Sequence, residues 1–219
     1  MSPDSSARSQ VADVQAHVRI AGHRVALVPK APFVLTPTDE GVEVVHRGML
    51  ARLRVVGDSL RYVVDGGARG LHDLMAAVDT DYAGPFRLET SDFVCAWPDG
   101  FRVASPDREG PFLFDLLPEA QGDEAGAGCL VFVAGPYAPE LCPSVDALVT
   151  AGRALLARED HETHSVVEVA YEHRGVPQRQ WHARFGVGER IFVLTAQGPE
   201  DAFDAARAAA QQMVSSLRV

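Results

Sequence analysis

Four apolar runs near the C-terminus decide the fold: residues 128–134 (GCLVFVA), 164–173 (HSVVEVAYEH), 179–187 (RQWHARFGV) and 190–196 (RIFVLTA). They are rich in β-branched and aromatic residues, a composition that is typical of strands. Turns are predicted between the last three runs, at Arg174-Gly175-Val176-Pro177 and at Gly188-Glu189, because glycine tolerates the backbone angles of such turns. The runs therefore predict a short antiparallel sheet.

The chain after residue 198 predicts one amphipathic helix. Pro199 suits the first helical position, and Glu200 and Asp201 offset the partial positive charge of a helix N-terminus. An apolar stripe keeps a helical period; it consists of Phe203, Ala206, Ala210, Met213, Val214 and Leu217. We expect this helix to lie across the sheet and close it.

The first half of the chain predicts more strands and a short helix. Runs between residues 16 and 57 alternate apolar and polar residues, which is typical of a sheet with one solvated face. Leu71, Leu74, Met75 and Val78 follow helical spacing, so residues 70–78 predict a short helix. Further strands are predicted over 87–98, 101–106 and 111–118.

The middle of the chain predicts a mobile loop and a second helix. Residues 119–128 are acidic and rich in glycine, a composition that is typical of a loop. Ser144 suits an N-cap, so a helix is predicted over 145–158. We divide the chain into a disordered tail (1–14), a strand-rich N-terminal lobe (15–88) and a sandwich domain (89–219).

Composition and charge restrict the partners. The chain has 219 residues and a net charge of −10, which argues against nucleic acid or an anionic membrane surface as the main partner. No apolar run approaches the roughly 20 residues that cross a bilayer, so no membrane insertion is expected. Residues 1–15 lack the basic-then-apolar pattern of a secretory signal, and a cytoplasmic location is therefore expected.

The cysteine pattern and the nucleotide-binding motifs give no sign of a cofactor. Cys95, Cys129 and Cys142 are odd in number and have no CxxC spacing, so neither a disulfide framework nor a zinc site is indicated. The motifs GxSxG, GxxxxGK[ST] and GxGxxG are absent. Residues 66–70 (GGARG) before the predicted helix can hold an anion, although a plain loop explains them as well.

Two histidine groups are the candidates for chemistry. His161, Glu162 and His164 form an HExH pattern, with Glu168 and His173 following, and nitrogen and carboxylate ligands suit zinc or nickel. Solvated residues at a strand end explain the same pattern. His182 can also face Glu168 or Glu172 on a neighbouring strand as a general base with its orienting partner, or as an ordinary polar contact on the solvent side.

Five aromatic residues are the candidates for contact with a partner, because aromatic side chains near sheet ends are enriched at interaction sites. They lie near predicted loops and beside the acidic segment; they are Trp97, Phe101, Phe112, Phe114 and Tyr137. A core position is the alternative for each of them.

The order of features over residues 91–219 resembles the PsbP-like sandwich superfamily, which includes DcrB-like proteins and LpqN-type lipoproteins. The resemblance depends on residues 93–101 (FVCAWPDGF), on residues 111–114 (PFLF), on the predicted helix at 144–158 and on the closing strand and helix (190–219). It implies an α/β fold of the α+β type, an antiparallel β-sheet flanked by helices, with a strand-rich N-terminal extension or second related lobe. Many bacterial members carry a lipoprotein signal, and this chain shows none.

The resemblance also implies a role, because members act mostly as non-catalytic binding, assembly or chaperone-like proteins. The sequence therefore predicts a non-catalytic adaptor that binds a protein or peptide partner, with a secretion-effector chaperone as one version. The first alternative is an enzyme or small-molecule binder whose pocket lies between the lobes and uses His164, His182 and Glu168. The second alternative is an oligomeric structural protein that uses an exposed sheet edge.

Overall fold

The computed structural model describes residues 14–20, 23–29, 31–46, 48–56, 59–64, 74–79, 86–119 and 128–219. In this part of the chain most residues with regular structure are in strands, and the strands form two antiparallel sheets. The two helices described are short, and neither is long and apolar enough to cross a bilayer.

The smaller sheet has five strands in the order β7-β2-β1-β8-β9. The strands are β1 (Gln15–Ile20), β2 (His23–Pro29), β7 (Leu74–Asp79), β8 (Arg87–Glu89) and β9 (Val94–Ala96). Ala16, Val18, Val25, Leu27 and Leu88 alternate along three of these strands and are fully buried, so one face of this sheet packs into the core.

The larger sheet has eleven strands in the order β13-β14-β15-β16-β12-β11-β10-β3-β4-β5-β6. Its N-terminal strands are β3 (Phe33–Thr38), β4 (Gly41–His46), β5 (Met49–Val56) and β6 (Ser59–Val64). The later strands are β10 (Phe101–Ala104), β11 (Phe112–Pro118), β12 (Leu130–Tyr137), β13 (Ala154–Asp160), β14 (His164–His173), β15 (Val176–Val187) and β16 (Arg190–Pro199).

The core lies on one face of the larger sheet, here called the inner face, beneath helix α2 (Phe203–Ser215). Strand register places Glu168 opposite Trp181, and Trp181 opposite Ala196, on this face. The buried residues of α2 have helical spacing and contact the same core; they are Phe203, Ala206, Ala209, Ala210, Met213 and Val214. The opposite face is called the outer face below.

The closing segment confirms the predicted strands and closing helix, with several shifts of boundary. The runs at 128–134, 164–173, 179–187 and 190–196 lie in the strands β12, β14, β15 and β16. The turn at Gly188-Glu189 is present, and the turn predicted over 174–177 is limited to Arg174-Gly175 because β15 begins at Val176. The closing helix follows, but it begins at Phe203 because β16 continues to Pro199. The predicted strand over 87–98 is divided into β8 and β9 by a turn in which the hydroxyl of Thr90 accepts from the amides of Asp92 and Phe93.

The predicted fold class, an α/β sandwich with helices flanking the sheet, is wrong. Leu74–Asp79 is a strand that pairs with β2, and helix α1 covers only Val145–Leu148 before the chain turns and forms β13. An uninterrupted apolar run fits a helix and a strand equally, so pairing with a neighbouring strand decides its conformation. Gly152, whose φ is 84°, also requires a turn within the predicted helix at 145–158.

The predicted lobes and tail have different outcomes. Strands from both sides of residue 88 occur in each sheet, since β8 pairs with β1 and β10 pairs with β3. The division at residue 88 stays a prediction. The predicted tail (1–14, except Val14), the glycine-rich stretch at 66–70 and most of the predicted loop at 119–128 lie outside the described residues.

Candidate strand-docking edge and outer face

Strand β13 is an exposed edge of the larger sheet. It pairs with β14 on one side, and no other described strand pairs with it. Six of its seven residues are exposed, and Leu155 and Leu156 keep 52% and 46% of their surface accessible. An edge strand with accessible apolar side chains can pair with another chain.

The hydrogen-bond pattern shows which amides of β13 point away from the sheet. The amide of His161 donates to the carbonyl of His164 at 2.8 Å, so this pair of residues is hydrogen-bonded across the hairpin. Hydrogen-bonded and non-bonded pairs alternate in an antiparallel ladder. The amides of Arg158 and Asp160 therefore point to the open side, while that of Glu159 points towards β14.

A bulge limits the length of this open edge. The register shifts between Leu155 and Ala157, which leaves Leu156 as the extra residue. Bulges interrupt a ladder and bend the strand that contains them. The regular open edge therefore extends over residues 157–160.

The side chains around the edge are mostly acidic. Glu159, Asp160 and Asp146 keep 59%, 62% and 77% of their side-chain surface accessible. Arg158, the one basic residue of β13, already pairs with Asp146 and, at 3.6 Å, with Asp160. The accessible charge around this edge is therefore mainly negative.

The HExH residues lie in the β13–β14 turn and do not form a metal site there. The rings of His161 and His164 stack with centroids 4.4 Å apart, and His161 Nε2 lies 3.2 Å from a carboxylate oxygen of Glu159. Within the described residues no three His, Cys, Asp or Glu side chains converge as a metal site would require. Burial and the neighbouring His161 lower the pKa of His164.

His182 and Glu168 lie on opposite faces of the sheet, so they do not form the predicted general-base pair. Register places His182 opposite Val167 and Thr195, whereas Glu168 is opposite Trp181. Glu168 instead accepts a hydrogen bond from Arg179 at 3.0 Å and forms an ion pair with Arg207 at 3.2 Å. Its buried carboxylate thereby connects β15 with α2.

The surroundings of His182 on the outer face keep it neutral. Its side chain is 6% exposed, and Nδ1 lies 2.9 Å from the hydroxyl of Thr195. Burial, and secondly the charge of Arg153, lower its pKa to about 4. Arg153 reaches this face from the turn before β13 and donates to the side-chain oxygen of Gln180 at 2.5 Å.

The five aromatic residues predicted to contact a partner do not form one surface. Trp97, Phe101 and Phe114 are buried in the core, and the indole N–H of Trp97 donates to the carbonyl of Phe101 at 2.7 Å. Phe112 and Tyr137 are partly buried, and their role in partner binding stays a prediction.

Sequence reasoning missed a compact cluster around Arg108 on the outer face. The guanidinium of Arg108 lies 4.1 Å from the ring centroid of Phe112 and 4.5 Å from that of Phe132. It also donates to both carboxylate oxygens of Asp115, at 3.1 and 2.5 Å. Cation–π contacts and a bidentate ion pair together hold the loop after β10 on the sheet.

Comparison with known proteins leaves the family of this chain open. No protein-family model matches the sequence, and no curated protein matches it. Among solved structures the chain is similar to LpqN of Mycobacterium tuberculosis, a protein described as involved in cell envelope biogenesis. The two chains are 14% identical, the match covers 57% of this chain and 81% of LpqN, and the TM-score is 0.41. A likeness at this level establishes neither family nor function.

Proposed function

We propose that this protein is a non-catalytic binding protein that takes up an extended, basic segment of a partner protein as an added strand beside β13. The observation that carries the proposal is the position of β13, which has a neighbour on one side among the described strands and exposes six of its seven residues. In strand addition the main chain supplies affinity and alternate side chains supply specificity.

Charge supports a basic partner segment. The accessible carboxylates of Glu159, Asp160 and Asp146 surround the open amides, and the whole chain carries a net charge of −10. A second copy of the same chain brings the same negative charge to the edge, so self-association is disfavoured by repulsion. We expect lysine or arginine to alternate with apolar residues in the partner segment, because successive side chains of a strand face opposite sides.

The test is a selection of peptides followed by affinity measurement. A displayed library of random ten-residue peptides is selected on the full chain, and the best peptide is synthesised and titrated by fluorescence anisotropy. Enrichment of peptides that alternate basic and apolar residues supports the proposal. Selection of none, or of peptides without such alternation, contradicts it.

Two variants of Arg158 separate backbone pairing from side-chain contact. Arg158→Pro removes an outward amide that is not part of the β13–β14 ladder, whereas Arg158→Ala removes the same side chain and keeps the amide. One main-chain hydrogen bond contributes about 0.5–1.5 kcal/mol, and the proline ring also obstructs the added strand, so we expect Arg158→Pro to weaken binding about tenfold relative to Arg158→Ala. Equal affinities of the two variants would contradict strand addition at this edge.

A further inference from the structure

The outer face of β14, β15 and β16 carries a basic, hydrogen-bonding surface in an otherwise acidic chain. Register places Gln180, His182 and Arg184 in succession on this face of β15, with Thr195 and Gln197 opposite them on β16. The two acidic residues of these three strands, Glu168 and Glu172, alternate to the inner face. This surface is formed by those five residues and Arg153; Gln180, His182 and Thr195 are buried, and the other three are partly buried. It is called the outer polar surface.

Its two arginines have no acidic partner in the described part of the chain. Arg153 contacts the Gln180 side chain, the carbonyl of Leu148 and the ring of Tyr171, which are all uncharged. The Nε atom of Arg184 is buried and makes no hydrogen bond to any described residue. Buried charges are usually paired with an opposite charge. These two partly buried cations lack such a counter-charge among the described residues.

His182 adds an unused hydrogen-bonding atom between the two arginines. His182 is 6% exposed, and its Nδ1 is hydrogen-bonded to the hydroxyl of Thr195. Its Nε2 has no hydrogen-bond partner among the described residues. When the Thr195 hydroxyl donates to Nδ1, the proton of the neutral imidazole is on Nε2, which is then a donor. Arg153 donates a hydrogen bond to the side chain of Gln180, the neighbour of His182 on this face of β15.

We propose that the outer polar surface is a binding site for a small anion, a carboxylate or a phosphate group, held by Arg153, Arg184 and His182 in the tautomer whose proton is on Nε2. On binding, Arg153 leaves the neutral oxygen of Gln180 for the anion, and a charge-assisted hydrogen bond replaces a neutral one. This site is on a face of the sheet, whereas the proposed partner segment adds at the edge, so the two proposals are independent.

The test uses inorganic phosphate and citrate as separate probes. Isothermal titration of each into the full chain, at constant ionic strength set with sodium chloride, is combined with NMR of the histidine side-chain nitrogens. We expect one or both probes to bind and to shift the Nε2 signal of His182. Binding of phosphate alone identifies a phosphate ligand, and binding of citrate alone identifies a carboxylate ligand. If neither probe binds, or if binding leaves the Nε2 signal of His182 unshifted, the proposal is wrong.

Matched variants exclude a general effect of charge. Arg153→Gln and Arg184→Gln each lower the net charge by one, and so does the control Arg218→Gln near the C-terminus. We expect each of the first two to weaken binding at least tenfold, and the control to change it less than twofold. Similar weakening in all three variants would mean that the anion is attracted without a defined site, and the proposal would fail. Circular dichroism of each variant checks that the fold is kept.

Discussion

Replacing Glu168 by glutamine tests how helix α2 is attached to the sheet. The side chain of Glu168 is 5% exposed, and its two oxygens bind different arginines, Arg179 of β15 and Arg207 of α2. Glutamine keeps the size of the side chain but removes the charge, and it turns an amide N–H₂ group towards one of the two arginines. The substitution therefore leaves two arginines without this buried carboxylate.

The expected cost follows from the burial of the three groups. Removing one partner of a fully buried ion pair costs about 3–5 kcal/mol. Arg179 and Arg207 are 31% and 38% exposed, so water compensates part of the loss, and we expect a decrease of about 2–3 kcal/mol in the free energy of unfolding. For a chain of this length that corresponds to a lowering of Tm by about 4–12 °C.

The assay is urea and thermal unfolding followed by circular dichroism, with Glu200→Gln as the matched control. Glu200 also binds Arg179, at 2.7 Å, but is 51% exposed, and such surface pairs contribute at most about 1 kcal/mol. We expect Glu168→Gln to destabilise the chain clearly more than the control. Equal losses, or a loss below about 1 kcal/mol for Glu168→Gln, would refute the role of Glu168 as the attachment of α2.

Three further predictions concern the outer face, the core and the edge. The pKa of His182 is about 4 in the fold and 6.5 in the unfolded chain, so protonation of His182 favours unfolding. The neutral imidazole stabilises the fold fully above pH 6.5, and about 3 kcal/mol of the free energy of unfolding is lost as the pH falls towards 4. We expect His182→Gln to remove this pH-dependent loss in parallel urea titrations. Trp97→Ala removes a buried indole and its hydrogen bond to Phe101, so we expect a loss of about 3–5 kcal/mol by urea unfolding. Leu155→Ala, at an exposed edge position, is expected to change the unfolding free energy by less than about 0.5 kcal/mol, and a loss above 2 kcal/mol would show that the edge is covered.

The sequence allowed the closing strands to be predicted because local signals agree there. β-Branched and aromatic residues favour strands there, and the glycines of the turns predicted at 174–177 and 188–189 favour the same hairpins. The helix predictions at 70–78 and 145–158 were wrong where the structure describes these residues, because pairing with β2 and β14 outweighs a helical spacing of only a few apolar residues. Ala154 to Ala157 is a continuous apolar stretch whose conformation depends on pairing with β14, which no local pattern reveals.

The candidate site was predictable only in part. The turn at Arg174-Gly175 places Glu168 opposite Trp181 and His182 on the other face, a register that the predicted turn over 174–177 did not give. Exposure of β13 was not predictable, because it depends on the order of eleven strands. The cluster of Arg108 with Asp115 and two aromatic rings likewise depends on strand neighbours that are distant in sequence.

Hydrogen exchange of the backbone amides of β13 tests strand addition most directly. The amides of Arg158 and Asp160 point to the open side, so they are expected to exchange rapidly in the free chain. On saturation with the selected basic peptide we expect their exchange to slow at least tenfold, while that of the exposed turn amide of Gly175 stays unchanged. Peptide binding that leaves both β13 amides in rapid exchange would contradict the account.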